Sequence, residues 1–268
     1  MPGTYRLGTT SYIMEAGLLE NAHYLAGKVQ DMELVLFDRE DGQCNLPSAE
    51  EVTALKQAAQ GKDLSYTVHL PEDLRWKNGI GEPHPSLAKA RKAILSTQDL
   101  QPLAYVAHLD GRGVDWQSRL ERKTWEDQAL KALEMAAVWA GGWQRIALEN
   151  LEGFPLRYLD EIFARVPVSG CLDIGHLWVD GWDAAALLSN GVDWPRVRVV
   201  HLHGIAPQGR DHHSLAFQPH AELAAVFDLL ARNQFSGVLT LEVFGEEDFL
   251  SSLQVVQNVL AAQKEGGQ

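Results

Sequence analysis

Short apolar runs alternate with longer amphipathic segments along the whole chain. The runs have the length and composition of buried strands, and the segments between them carry apolar residues three and four positions apart, which predicts helices. We predict eight strands, at residues 5–9, 33–37, 65–70, 104–109, 145–149, 168–173, 196–202 and 237–243. We predict helices at residues 49–60, 86–97, 125–140, 157–165, 221–233 and 249–262.

This alternation predicts an α/β fold in which helical crossovers join parallel strands. An open doubly wound sheet and a closed barrel would both produce it. The count of eight favours a (β/α)8 TIM barrel, which typically needs about 250 residues, and the chain has 268. No linker, repeat or low-complexity stretch divides the sequence, so we predict one barrel domain over residues 1–268.

Metal-binding residue types stand where the predicted strands end. The residues are His69, His108, Glu149, Asp173 with the nearby His176, His201 and Glu242. A barrel gathers its strand ends around one mouth, whereas an open sheet spreads them along a line. Convergent imidazoles and carboxylates are what a bound divalent metal requires. The sequence therefore predicts a metalloenzyme with its site at the C-terminal mouth of the barrel.

Each of these residues also has an ordinary structural alternative. Asp173 could cap the following helix and leave His176 at the surface. Glu149 ends an apolar run, where a carboxylate is costly unless it is paired, and Arg145 is a candidate partner. His201 and His203 share one face of a strand, and either could be a hydrogen-bonded core residue.

The segment after the seventh strand concentrates further polar groups. Asp211, His212 and His213 would face the same mouth, and Arg210 is a candidate clamp for a phosphate, with a plain surface arginine as its alternative. Trp178 follows the Asp173–His176 motif and could line a substrate cleft. Packing between the helices and the barrel is the alternative for this tryptophan.

Charge and composition narrow the class of partner. The formal net charge of −13 disfavours a general nucleic-acid surface, which needs a basic stripe, but it allows a single phosphate held by metal ions. No stretch is apolar enough for a membrane span, and the start of the chain does not resemble a signal peptide. Two cysteines predict no disulfide framework. We expect a cytoplasmic enzyme with a small-molecule substrate, and the chain gives no signal for an oligomeric state.

The motifs resemble the xylose-isomerase-like barrels, which include the endonuclease IV phosphodiesterases. Glu149, Asp173, His201 and Glu242 match the ligands shared by the sugar isomerases and epimerases of that group. Four further segments resemble endonuclease IV, whose cluster holds three metal ions: AHLDG at 107–111, LEN at 148–150, the DxxH motif of Asp173 and His176, and HHSL at 212–215. Two positions depart from the family pattern. His69 precedes a Leu-Pro pair that the family has before its histidine, and Asp211 directly abuts His212, so either His212 or His213 could be the ligand.

The whole chain resembles most closely the cobamide-remodelling phosphodiesterases of this superfamily. The resemblance lies in GTTSYI at 8–13, ELVLF at 33–37, TVHLP at 67–71, CLDIGHL at 171–177, and HLHG followed by DHHSL at 201–215. It implies hydrolysis of the phosphodiester in the nucleotide loop of a cobamide, with release of a cobinamide-type product. Two or three divalent metals are implied, zinc or manganese.

We expect Glu149 and Glu242 to be catalytic and to bridge or flank a pair of metals. Asp173, His201 and His108 would complete that pair, with His69 at its rim, while His176 and either His212 or His213 would hold a third ion, with Asp211 beside them. The alternatives are a ketose 3-epimerase or isomerase that uses one metal on four ligands, and a DNA-repair endonuclease.

Overall fold

A computed structural model describes residues 5–76, 83–207 and 209–266. Its strands are β1 (Arg6–Thr10), β2 (Asp31–Val35), β3 (Ser65–His69), β4 (Tyr105–Ala107), β5 (Ile146–Glu149), β6 (Ser169–Asp173), β7 (Val197–Leu202), β8 (Gly204–Ala206), β9 (Arg210–His213) and β10 (Val238–Leu241). Its α-helices are α1 (Leu18–Leu25), α2 (Ala49–Ala59), α3 (Pro85–Thr97), α4 (Arg119–Ala140), α5 (Asp160–Arg165), α6 (Ile174–Val179), α7 (Ala184–Leu188), α8 (His220–Arg232) and α9 (Glu246–Gly266). The predicted domain bounds also take in residues 1–4, 77–82, 208 and 267–268, which lie outside the described part.

Eight parallel strands form a closed barrel in the order β1-β10-β7-β6-β5-β4-β3-β2. The ring closes because β1 pairs with β10 on one side and with β2 on the other, both in parallel. All eight predicted strands are present, and the predicted TIM barrel is confirmed. No helix in the described residues is long and apolar enough to cross a membrane.

The interior of the barrel is apolar on one side and polar on the other. Small apolar side chains from β4 to β7 form a separate buried cluster inside the ring: Ala104, Val106, Ala147, Cys171 and Val199. On the other side, buried polar residues occupy the strands, among them Asp31, Glu33, Thr67 and Thr240. TIM barrels usually fill this space with branched apolar residues. A polar interior is therefore unusual for this fold, and the residues at the mouth, described below, explain it.

Strand alternation places the ligand candidates on the inward face. Residues two apart on a strand share a face, and His108, Glu149, Asp173 and His201 each lie two residues beyond a member of that interior cluster. The register then sets their height, since Asp173 pairs with His201 and Thr240 pairs with His201 from the other side. The alternation of side chains thus directs the candidates into the barrel, and the register places them at its C-terminal mouth.

Several elements differ from the sequence prediction. Three helices were not predicted, namely α1, α6 and α7, and the last two have only six and five residues, too short for a helical period to emerge. The sequence indicated a loop at residues 209–215, but residues 210–213 form strand β9, which pairs antiparallel with β8. Helix α4 begins six residues earlier than predicted, where the Ser118 side chain accepts a hydrogen bond from the backbone N–H of Glu121.

Candidate metal centre

Glu149 lies at the centre of the mouth, buried to 1% exposure. Its Oε2 is 3.1 Å from His108 Nε2 and 3.5 Å from His69 Nε2. Its other oxygen, Oε1, is 3.4 Å from His201 Nδ1 and 3.6 Å from His176 Nδ1. One carboxylate thus has imidazoles on both oxygens, which is the arrangement of a ligand shared between two cations. Arg145, the alternative partner, instead donates to the carbonyl of Pro102.

The ligand candidates fall into three groups of closely spaced donor atoms, each group lying within 4.8 Å. We call them the rim group (His69, His108, Glu149), the floor group (Glu149, Asp173, His201, Glu242) and the imidazole group (His176, His203, His212). The rim and floor groups share Glu149. Cys171 also lies within reach of Glu149 and His201, but burial raises the pKa of its thiol, which disfavours the thiolate that binds metals.

The two carboxylate oxygens of Asp173 have different surroundings. Its Oδ1 accepts a hydrogen bond from the backbone N–H of His176 and so caps α6. Its Oδ2 is buried without a hydrogen-bond partner and lies 3.7 Å from His201 Nδ1. The helix-cap alternative and the ligand prediction therefore use different oxygens and do not compete.

The imidazole rings are held from behind by hydrogen bonds. His201 Nε2 bonds to Glu33 Oε2 at 3.1 Å, and His108 Nδ1 bonds to Asp73 Oδ1 at 3.2 Å. His69 Nδ1 and His176 Nδ1 bond to the carbonyl oxygens of Leu70 and Asn150, at 3.0 and 2.9 Å. Metal-binding histidines usually have such a partner on the second nitrogen, which fixes the tautomer and the ring plane.

The buried atoms that lack hydrogen bonds identify what the site would hold. Within the described residues, eight buried side-chain atoms have no partner: Glu33 Oε1, His108 Nε2, Glu149 Oε1 and Oε2, Asp173 Oδ2, His201 Nδ1, His203 Nε2 and Glu242 Oε2. All but the Glu33 oxygen belong to the three groups. Unsatisfied buried polar atoms are rare and costly, and here they converge. The donor set of imidazoles and carboxylates fits divalent cations such as zinc.

The buried carboxylates and imidazoles of the site shift one another's pKa values. Burial opposes the charged form of His108, but the Glu149 charge and the hydrogen bond to Asp73 outweigh it and raise the His108 pKa to about 10. Burial is likewise outweighed at His212, where Glu242 raises the pKa to about 9. Burial would raise the pKa of Glu149, yet His201 and His108 hold it well below its ordinary value. The carboxylates thus favour positive charge at the mouth, which protons or metal cations can supply.

The segment after β7 presents His212 to the site, and His213 points elsewhere. His212 has a left-handed backbone with φ of 54°, and its Nε2 lies 3.5 Å from Glu242 Oε2. His213 Nδ1 lies 2.8 Å from Asp248 Oδ2 in α9. Asp211 lies outside the three groups, with its Oδ1 3.3 Å from His212 Nδ1. The geometry therefore favours His212 over His213 and gives Asp211 a supporting contact.

Two residues of the site were not predicted from the sequence. Glu33 was read as the first residue of its strand, and His203 was noticed only as a companion of His201. His203 is fully buried and its ring stacks on His212 at 4.2 Å between centroids. The signal for Glu33 was a carboxylate within the apolar run DMELVLF, the same signal that singled out Glu149.

The two predicted substrate-binding residues have different surroundings. Trp178 in α6 is 8% exposed and packs in the main hydrophobic core, so it offers almost no surface to a substrate, and the packing alternative describes it better. Arg210 at the start of β9 is exposed, and no carboxylate of the described chain forms an ion pair with it.

The chain belongs to the xylose isomerase-like TIM barrel family, whose model matches residues 29–264. Its fold is similar to that of a D-tagatose 3-epimerase-like protein (TM-score 0.74, 18% identity, 98% of this chain and 100% of the other covered). It is also similar to endonuclease IV from Thermus thermophilus (TM-score 0.67, 22% identity, 96% and 99% covered). A third similar structure is the IOLI protein with a zinc atom bound (TM-score 0.66, 16% identity, 96% and 98% covered). No curated protein matches the chain in a sequence comparison.

Proposed function

We propose that this protein is a metal-dependent phosphodiesterase that hydrolyses the nucleotide-loop phosphodiester of cobamides. The observation that carries the hydrolase part is the surplus of ligand candidates. The rim group and the imidazole group add five histidines to the four-residue floor group. A single-metal epimerase has no use for these histidines, whereas phosphodiester hydrolysis uses two or three cations around one phosphate.

Bound divalent cations would polarise the phosphate and supply a hydroxide from water near neutral pH. The chain's own residues fix where this happens. Glu149, which belongs to both the rim and the floor group, would hold two of the cations. Asp173 and Glu242 would be ligands in the floor group, and His176 and His212 would be ligands in the imidazole group. Arg210 is exposed on the hairpin and would pair with the phosphate.

The cobamide part of the proposal rests on the motif resemblance over residues 8–215. The mouth adds a compatible surface, since Phe244 is 43% exposed and its ring lies 5.7 Å from that of His212. Phe217, 48% exposed, lines the same cleft as Phe244 and Arg210. Exposed aromatic rings suit a large organic substrate with an apolar body. The acidic net charge of −13 is unfavourable for the DNA substrate of an endonuclease.

An epimerase or isomerase of small ketoses is the second candidate. The floor group, Glu149, Asp173, His201 and Glu242, is by itself a complete four-ligand site, and the fold is similar to a D-tagatose 3-epimerase-like protein. In that reaction the two glutamates would transfer protons at a substrate carbon. The five additional histidines would then have no role in catalysis.

The proposal is tested by incubating metal-loaded protein with an adenosylated cobamide and separating the products by liquid chromatography with mass detection. We expect a cobinamide-type product and the released fragment of the nucleotide loop. His176→Ala should reduce the rate at least about 100-fold. Loss of the residue that hydrogen-bonds to a metal ligand already costs about 10–100-fold, and His176 is itself a ligand candidate. His23→Ala, an exposed histidine on α1, is the matched control and should keep full activity.

Parallel reactions with free ketoses and with an abasic-site DNA duplex complete this experiment. Epimerisation of a ketose without cobamide cleavage, unaffected by His176→Ala, would transfer the assignment to the second candidate. Cleavage of the abasic duplex without cobamide cleavage would make the protein a DNA-repair enzyme.

A further inference from the structure

Glu33 occupies a position where a carboxylate is unfavourable unless it has a function. It lies in the middle of β2, facing the barrel interior, and is fully buried. Its Cα pairs with that of Thr67 in β3, one layer below the pair formed by Val35 and His69. Burying a carboxylate in this way is costly without strong partners. No described lysine or arginine forms an ion pair with Glu33.

The principal partner of Glu33 is His201. The two residues lie on β2 and β7, three strands apart around the ring, and His201 Nε2 is 3.1 Å from Glu33 Oε2. The hydroxyls of Thr67 and Thr240 are farther from this oxygen, at 3.3 and 3.4 Å. The Thr67 proton has a better acceptor in Asp31, at 2.7 Å.

The hydrogen bond to Glu33 determines which nitrogen of His201 faces the floor group. A proton on Nε2 leaves the Nδ1 lone pair free. Nδ1 lies 3.1 Å from Glu242 Oε2 and 3.4 Å from Glu149 Oε1, and it has no hydrogen-bond partner. The carboxylate below the ring therefore selects the tautomer that can bind a cation above it.

We infer that Glu33 is a positioning residue for the floor group, holding His201 in the tautomer and plane that a divalent cation requires. It acts through His201 and does not touch the substrate. This inference rests on the proposed metal site but not on the identity of the substrate. It also accounts for part of the polar side of the barrel interior, because the hydroxyls of Thr67 and Thr240 lie 3.3 and 3.4 Å from the carboxylate that supports His201.

The test compares zinc affinity, measured by competition with a chromophoric chelator, in three variants. Glu33→Leu removes the hydrogen bond and should weaken the tighter zinc sites about 10–100-fold, the usual effect of losing such a partner. Glu33→Gln keeps an amide oxygen that can accept from Nε2–H, so its loss of affinity should be smaller. Asp31→Asn is the matched control, because Asp31 lies on the same face of β2 and bonds to Ser65 and Thr67. It should retain the affinity of the parent protein.

Thermal unfolding of the metal-free protein measures the structural role of Glu33, and the tautomer of His201 reports its positioning role. Removing one partner of a buried pair usually destabilises a protein, so Glu33→Leu should lower the midpoint, and Glu33→Gln should lower it less. A long-range 1H–15N spectrum of the zinc-loaded parent should show the His201 proton on Nε2.

Unchanged zinc affinity in Glu33→Leu would overturn the inference, and so would an equal loss of affinity in Asp31→Asn. If Glu33→Leu does not fold, Glu33→Met decides, because it keeps the length of the side chain and removes both carboxylate oxygens: reduced zinc affinity supports the inference and parental affinity overturns it. None of these readouts uses a cobamide, so a failed cleavage assay leaves the Glu33 result standing.

Discussion

At the scale of single residues, Glu149 is the central residue of the candidate metal centre. It contacts four histidines through two oxygens and belongs to two of the three groups. The sequence identified it because a carboxylate ends an apolar strand, which is costly without compensation. The same reasoning applied to Glu33 would have found the second buried carboxylate, but Glu33 was placed at the edge of its strand, where a charge needs no explanation.

Glu149→Gln should weaken binding at two cation positions while leaving the fold intact, because the amide keeps the volume but offers only one, uncharged, oxygen ligand. We expect isothermal titration with zinc to show the loss of at least one binding event. Glu134→Gln is the control, since Glu134 is exposed on α4, away from the three groups. Full zinc stoichiometry in Glu149→Gln would rule out its role as a shared ligand.

At the scale of elements, the strands were predictable and the short pieces around the mouth were not. Each barrel strand is a short buried apolar run, and this is the signal from which the strands were predicted. Helix α6 begins at the cap of Asp173 and runs for only six residues, so its signal is the cap and not a helical period. Strands β8 and β9 have only three and four residues. They form no apolar run and show no alternation, so the sequence does not predict strands there.

Gly175 in α6 shows how closely these elements pack. A Cβ at this position would lie 2.1 Å from His203 Nε2, so only glycine lets the helix approach the ring. A Gly→Ala change in a helix is normally favourable by up to about 1 kcal/mol. Here we expect Gly175→Ala to destabilise the protein by about 1–3 kcal/mol through overpacking and to displace His203 from the imidazole group. Chemical denaturation measures the first effect and zinc stoichiometry the second.

The double variant Gly175→Ala/His203→Ala provides the check on that explanation. Removing the ring should relieve the clash and restore part of the stability lost in the single variant, which a double-mutant cycle detects. Strict additivity of the two changes would mean that Gly175 is not needed for the approach of His203.

At the scale of the whole molecule, the mouth couples metal content to pH. The metal-free protein has His108 and His212 with pKa values raised to about 10 and about 9, against an unfolded value near 6.5. A raised pKa contributes stability that is fully present below about 6.5 and is lost as the pH rises through about 9 and 10. We therefore expect the unfolding midpoint of metal-free protein to fall between pH 7 and pH 10.

Metal-loaded protein should behave differently over the same range, because cations replace the protons between the carboxylates. Its midpoint should fall less between pH 7 and pH 10, and loading near pH 7.5 should release protons, which titrations in buffers of different ionisation enthalpy detect. Equal pH dependence of the two forms would contradict the coupling. Acidification below about 6 should favour protons over metal and release the ions.

The number of divalent cations per chain tests the account most directly. The account predicts two to three cations per chain in zinc-reconstituted protein, measured by elemental analysis after removal of loosely bound metal, and confirmed by native mass spectrometry. His176→Ala should lower that number by one, and His69→Ala with His108→Ala should lower it by one independently. A value near one per chain, unchanged by either set of substitutions and lost only when the floor group is altered, would contradict the multinuclear site and the phosphodiesterase built on it.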